Sequence, residues 1–140
     1  MAVLNIKINK LSAERVDKET KSIEIKANST ILSAKRGKDK RIGEYLHVNF
    51  KYHVEYSPGI GTIHLEGSLW YQHPKLDSVV SEEGDKIELK NEAIRDISNA
   101  VIQESIVEAL DMARKLQLPT PLQLPTVTVK TEKMKFSKAA

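Results

Sequence analysis

The 140 residues carry 22 Lys and Arg against 19 Asp and Glu, a formal net charge of +3 that permits anion contact without arguing for it. No cysteine is present, which excludes a disulfide framework, thiolate metal ligands and a thiol nucleophile. With 40% hydrophobic residues, no run near the roughly 18 apolar residues of a membrane span and no signal-peptide pattern, the expectation is one soluble, cytoplasmic domain over residues 1–140.

Four strand-like segments come first. Residues 3–13 alternate around Leu4, Ile6 and Ile8, and residues 22–34 around Ile23, Ile25 and Ala27. Residues 44–56 alternate cleanly, with Leu46, Val48, Phe50, Tyr52, Val54 and Tyr56 on one face and Tyr45, His47, Asn49, Lys51, His53 and Glu55 on the other. Residues 60–72 continue with Ile63, Leu65, Leu69 and Tyr71. Period-two alternation marks half-buried antiparallel strands. Between the last two strands, Pro58-Gly59 suits the centre of a type II turn, because glycine supplies the positive φ. Pairing Val54 with Ile63 keeps the apolar faces together, since a one-residue slip inverts a strand. The same register sets Tyr52 opposite Leu65, Lys51 opposite Glu66 and His53 opposite His64, with His47 near Trp70.

Two polar regions interrupt the strands. Residues 35–41 (KRGKDKR) read as a basic loop, and residues 73–85 as an acid-containing connection. A helix follows over residues 92–116, with Asn91 as a cap, or with an earlier start near Lys86 and a kink at Ser98-Asn99. Its apolar positions cover more than half the circumference, whereas a helix on one sheet needs a stripe of about 100°. The surplus predicts a second subunit, with Ile102, Ile106, Val107, Leu110 and Ala113 as the interface. Beyond it, Leu118-Pro119-Thr120-Pro121-Leu122-Gln123-Leu124-Pro125 is a proline-spaced extended segment, and residues 130–140 read as a flexible basic tail. The predicted class is α+β: a four-stranded antiparallel sheet followed by a long helix packed on one face.

This order of elements, the stretch Glu66-Gly67-Ser68-Leu69-Trp70, the opening Ile6-Lys7-Ile8-Asn9-Lys10-Leu11 and the Leu-Pro-x-x-Leu-x-Leu-Pro segment after the helix resemble the SecB export chaperones over roughly residues 4–128. The resemblance implies a dimer or a dimer-of-dimers tetramer that holds unfolded or non-native polypeptides in apolar grooves and takes part in protein export. It makes Trp70, Leu118, Leu122 and Leu124 candidate peptide-binding residues. For Trp70, which falls on the polar parity of its strand, a subunit interface or an overlying loop explains the position equally well. The tail leucines either line a groove or stitch subunits together. Family members are strongly acidic, and this chain is slightly basic.

Catalysis has no positive signal. Ser78, Ser81, Ser98 and Ser105 have no histidine or acid at recognisable spacing, and Gly59-Ile60-Gly61 is turn chemistry rather than a dinucleotide fingerprint. His53 and His64, with Glu55 or Glu66, are too few and too loosely fixed for a zinc site, which wants three or four protein ligands. The basic residues 35–41 lack interleaved aromatics for base stacking, so a solvated turn is favoured over an RNA contact. The expectation is a non-enzymatic chaperone without cofactor or metal. The alternatives are a module of the same fold that binds one defined partner, and a weak RNA-binding protein.

Overall fold

The structure is a computed structural model and describes residues 2–19, 21–84 and 86–121, together with the backbone of residues 133–137. Strands β1 (Ala2–Arg15), β2 (Glu24–Asp39), β3 (Gly43–Ser57) and β4 (Gly61–Gln72) form one antiparallel sheet in the order β1-β4-β3-β2. A single turn of helix, α1 (Leu76–Val79), leads into β5 (Val80–Glu83) and β6 (Lys86–Lys90), and the long helix α2 (Asn91–Lys115) follows directly. The α+β expectation holds, with a second, three-stranded sheet added: β5-β6-β7, where β7 is Lys133–Ser137. Within the expected tail, these five residues pair with β6.

The β3–β4 register is the one the alternation dictates. Val54 pairs with Ile63, Tyr52 with Leu65, Lys51 with Glu66 and His53 with His64. The odd positions of β4 and the even positions of β3 are buried, and the opposite parity forms an open outer face. The turn between them differs from a type II turn. The Ser57–Pro58 peptide is cis, and the Ile60 N–H donates to the Tyr56 carbonyl across a five-residue loop. Gly59 supplies the expected positive φ, +63°.

Three other expectations are corrected. In β1 the register slips between Leu4 and Lys7 and again between Ile8 and Lys10. Each bulge adds a residue and reverses the phase, so Val3, Ile6, Ile8 and Ala13 pack inward while Leu4 stands opposite Trp70 on the outer face. The basic segment 35–41 is mostly strand, because β2 stays paired through Asp39 and only residues 40–42 turn. Residues 73–85 hold α1 and β5, residues 86–90 are strand, and Lys90 takes the N-cap position so that Asn91 is the first residue of α2, which is helical without interruption through Ser98 and Asn99.

Helix α2 lies between the two sheets at its N-terminal half. Ala93, Ile94, Ile97 and Val101 share one core with Leu46, Val48, Phe50, Leu69 and Tyr71 of the large sheet and with Leu76, Val79, Val80, Ile87 and Leu89 beneath the small one. Much of the surplus apolar arc is thus satisfied within the chain. At the C-terminal half the small residues Ala109 and Ala113 let the helix approach Tyr52, Val54, Tyr56, Ile63 and Leu65.

The helix ends in a Schellman arrangement. Gln117 adopts φ +55°, the Leu118 N–H donates to the Ala113 carbonyl at 2.8 Å, and the Gln117 N–H donates to the Arg114 carbonyl at 3.2 Å. A side chain in this left-handed conformation costs about 1 kcal/mol that glycine avoids. Gln117→Gly is therefore expected to raise the unfolding free energy by about that amount, measured by urea titration. A loss of stability would show that the Gln117 side chain contributes more than its backbone costs.

Candidate polypeptide-binding and interface surfaces

The interface residues expected on α2 divide into two groups. Ala113 is fully buried and Ile102 nearly so within their own chain, and Ala113 packs in the core beneath the large sheet. Ile106 and Leu110 are half-buried, and Val107 is 63% exposed. Residues spaced three and four apart lie on one helical face, so Ile106, Val107 and Leu110 form a short apolar ridge on the open side of the C-terminal half. Both edge strands reach the core under this half of the helix, β1 through Ile8 and Ala13 and β2 through Ile25 and Ala27. Leu11, between the two inward residues of β1, is 43% exposed.

The start of the proline-spaced segment is fastened to the lower end of the large sheet. Arg15 Nη1 donates to the Leu116 carbonyl at 2.9 Å and satisfies one of the orphan acceptors at the helix end. Leu118 is buried against Gly61, where an added Cβ would lie 3.2 Å from Leu118 Cδ1 and 2.6 Å from the Glu14 carbonyl oxygen. Tyr56 Oη donates to the Pro119 carbonyl at 2.7 Å, and burial, reinforced by nearby Tyr52, pushes the Tyr56 hydroxyl pKa up to about 12. Leu122 and Leu124 lie outside the described residues. Trp70 and Leu118 are on opposite faces of the sheet, so these two candidate peptide-binding residues are not brought together.

Trp70 stands on the outer face and stacks on Tyr45, with ring centroids 4.2 Å apart and planes inclined by 19°. Tyr45 in turn lies over Gly37, where an added Cβ would sit 2.5 Å from its Cζ. Tyr45 was missed as a site residue, although extending the Val54–Ile63 register places it one diagonal step from Trp70. Below this stack an open trough of about 410 Å³ crosses all four strands, lined by Asn9, Lys10, Leu32, Ser33, Asn49 and Glu66 with the Phe50 and Gly67 backbone. It lies where both edge strands bulge, at Asn9 and at Leu32.

Charge on the outer face is arranged differently from the simple cross-strand pair. Glu66 pairs with Lys10 at 3.6 Å and with His64 at 2.8 Å rather than with Lys51. The His64 contact, then Lys10, holds the Glu66 carboxyl below its usual pKa. His53 faces His64 edge-on at 5.9 Å, and the described residues contain no group of three potential metal ligands. Ser98 and Ser105 are buried on the inner side of α2, and Ser105 Oγ has no hydrogen-bond partner. At the upper end, Arg36 ties β2 to α1 through Asp77 at 2.7 Å and to the small sheet through Glu82 at 3.4 Å. No helix among the described residues is long and apolar enough to cross a membrane.

No protein-family model and no curated protein matches the chain. Among solved structures, the chain is similar to the Mycobacterium tuberculosis Rv1957 SecB-like chaperone, in complex with a ChAD peptide from the HigA1 antitoxin. The TM-score is 0.59 at 15% identity, over 91% of this chain and 89% of that one. At that identity the likeness is one of fold, and this chain has the fold of a SecB-like chaperone.

Proposed function

We propose that the protein is a non-catalytic polypeptide-holding chaperone that works as a homo-oligomer. The observation that carries this reading is apolar surface left uncovered: Leu11 and Val16 are exposed on and just after β1, an edge strand, and Val107 on the C-terminal half of α2. Contiguous exposed apolar surface marks sites of interaction. Strand β1 has one edge unpaired among the described residues, and an extended segment of a non-native chain would add to it through main-chain hydrogen bonds, which tolerate any sequence. The similar SecB-like chaperone, bound to a peptide, supports the same class of ligand. A link to protein export follows from the sequence resemblance alone.

Light scattering of a chemically unfolded client diluted into buffer tests the reading. Stoichiometric protein is expected to suppress aggregation, and to do so equally at low and high salt because the contacts are apolar. Failure with several unrelated clients, together with tight binding of one co-purifying protein, would favour the second reading. In that reading the same fold serves one defined polypeptide, as the antitoxin peptide on the similar structure suggests.

A further inference from the structure

The outer face of the large sheet has a charge and a surface that the polypeptide-holding reading does not use. Over its upper part, Lys7, Lys10, Lys35 and Lys51 share this face with two strand carboxylates, Glu66 and Asp39, while Glu14, Glu24 and Glu55 lie on its lower part. Glu66 is already held by Lys10 and His64. Asp39, at the end of β2, is likewise held by Arg41, whose amide donates to it at 2.8 Å. Lys7, Lys35 and Lys51 are left with no carboxylate partner among the described residues. The upper part of the face is therefore an electropositive strip whose two carboxylates are paired.

Two aromatic rings stand within that strip. In sequence, the basic segment 35–41 has no aromatic neighbour of its own. The fold supplies the rings from β3 and β4: Lys35 pairs with His47, His47 pairs with Trp70, and Trp70 stacks on Tyr45 over Gly37. Beside the stack, the trough of about 410 Å³ offers amide and hydroxyl groups from Asn9, Ser33 and Asn49. The Asn49 amide is donated to Ser33 Oγ at 2.9 Å, which fixes its orientation.

We propose that this outer face binds single-stranded nucleic acid. Phosphates neutralise Lys7, Lys35 and Lys51 as point charges. An unpaired base stacks on the Tyr45–Trp70 pair, and the trough accommodates the backbone between them. A positive groove combined with a stacking platform is what sequence-tolerant single-strand binding needs, and a duplex would keep its bases out of reach of the rings. An acidic polypeptide would satisfy the lysines but would leave the stacked rings and the polar floor without a matching group.

Trp70 is the only tryptophan in the chain, so its emission reports the site directly. The probe is a mixed-sequence RNA of about 16 nucleotides, within the span of single-strand binding sites, titrated at low salt with Trp70 fluorescence and with anisotropy of a labelled strand. The expected result is saturable quenching of Trp70. Affinity should fall about 18-fold between 50 and 200 mM salt, as three phosphate contacts at roughly −0.7 each imply. The combined variant Lys7→Gln, Lys35→Gln, Lys51→Gln changes only surface side chains. It should weaken binding at least tenfold and flatten the salt slope, while holding unfolded clients as well as the parent does. Three results would overturn the proposal: no binding at about 50 μM protein in low salt, binding indifferent to the triple substitution, or an equal Trp70 response to a polyglutamate peptide. The last would assign the face to acidic polypeptides instead.

Discussion

Gly67→Ala is expected to destabilise the protein by about 3 kcal/mol or more, within the range for forced overpacking of a core. The cause is the bulge in β1. Between Leu4 and Lys7 that strand carries an extra residue, with Asn5 at φ +51°, and the Lys7 carbonyl is pushed toward β4. A Cβ on Gly67 would collide with the Lys7 carbonyl oxygen and lie 2.8 Å from Phe50 Cζ. Phe50 is fully buried in the upper core and cannot swing away without opening a cavity. The carbonyl belongs to the backbone, and moving it disturbs the ladder that holds β1 to β4. Gly43→Ala is the control. Gly43 has φ +82° but open space where the Cβ would go, so only the conformational cost of about 1 kcal/mol is expected. Urea denaturation of both variants measures the difference. A Gly67→Ala protein within 0.5 kcal/mol of the parent would show that the bulge is not placed as described.

Val107→Asp is expected to weaken self-association by about 100-fold without unfolding the protomer. At 63% exposure the side chain contributes little to its own chain's core, so an aspartate there is solvated in the monomer. In an assembly that covers the Ile106–Val107–Leu110 ridge, the substitution removes roughly 1.5 kcal/mol of apolar burial and desolvates a carboxylate, together about 3 kcal/mol. Sedimentation velocity over a concentration series reads the change, with circular dichroism to confirm the fold. Ile102 and Ala113 are unsuitable probes, because burial within the protomer means that aspartate there would unfold it. A wild-type protein that stays monomeric at micromolar concentration would falsify the proposed interface.

The sequence by itself determined the register of the β3–β4 hairpin. Eleven alternating positions from Leu46 to Tyr56 and a Pro-Gly turn are both local signals, and a slip of one residue would turn every buried side chain of a strand to solvent. It also determined the α+β class and the face of the sheet on which Trp70 stands. The phase of β1 was not legible. A bulge inserts a residue without any mark in a period-two pattern, so Leu4 looked inward while the structure turns Val3 inward in its place. Strands β5 and β6 were hidden for another reason: four and five residues among charged neighbours carry no strand signal, and pairing with each other and cover over Ile94 and Ile97 make them strands. That cover accounts for the apolar arc at the start of α2, which from sequence pointed to a second subunit. Only Ile106, Val107 and Leu110 keep that implication, because how a helix divides its apolar face between its own chain and another depends on which elements reach it. The joining of Lys35 to the Tyr45–Trp70 pair was equally a product of tertiary structure, since no local signal fixed how β2 pairs with β3.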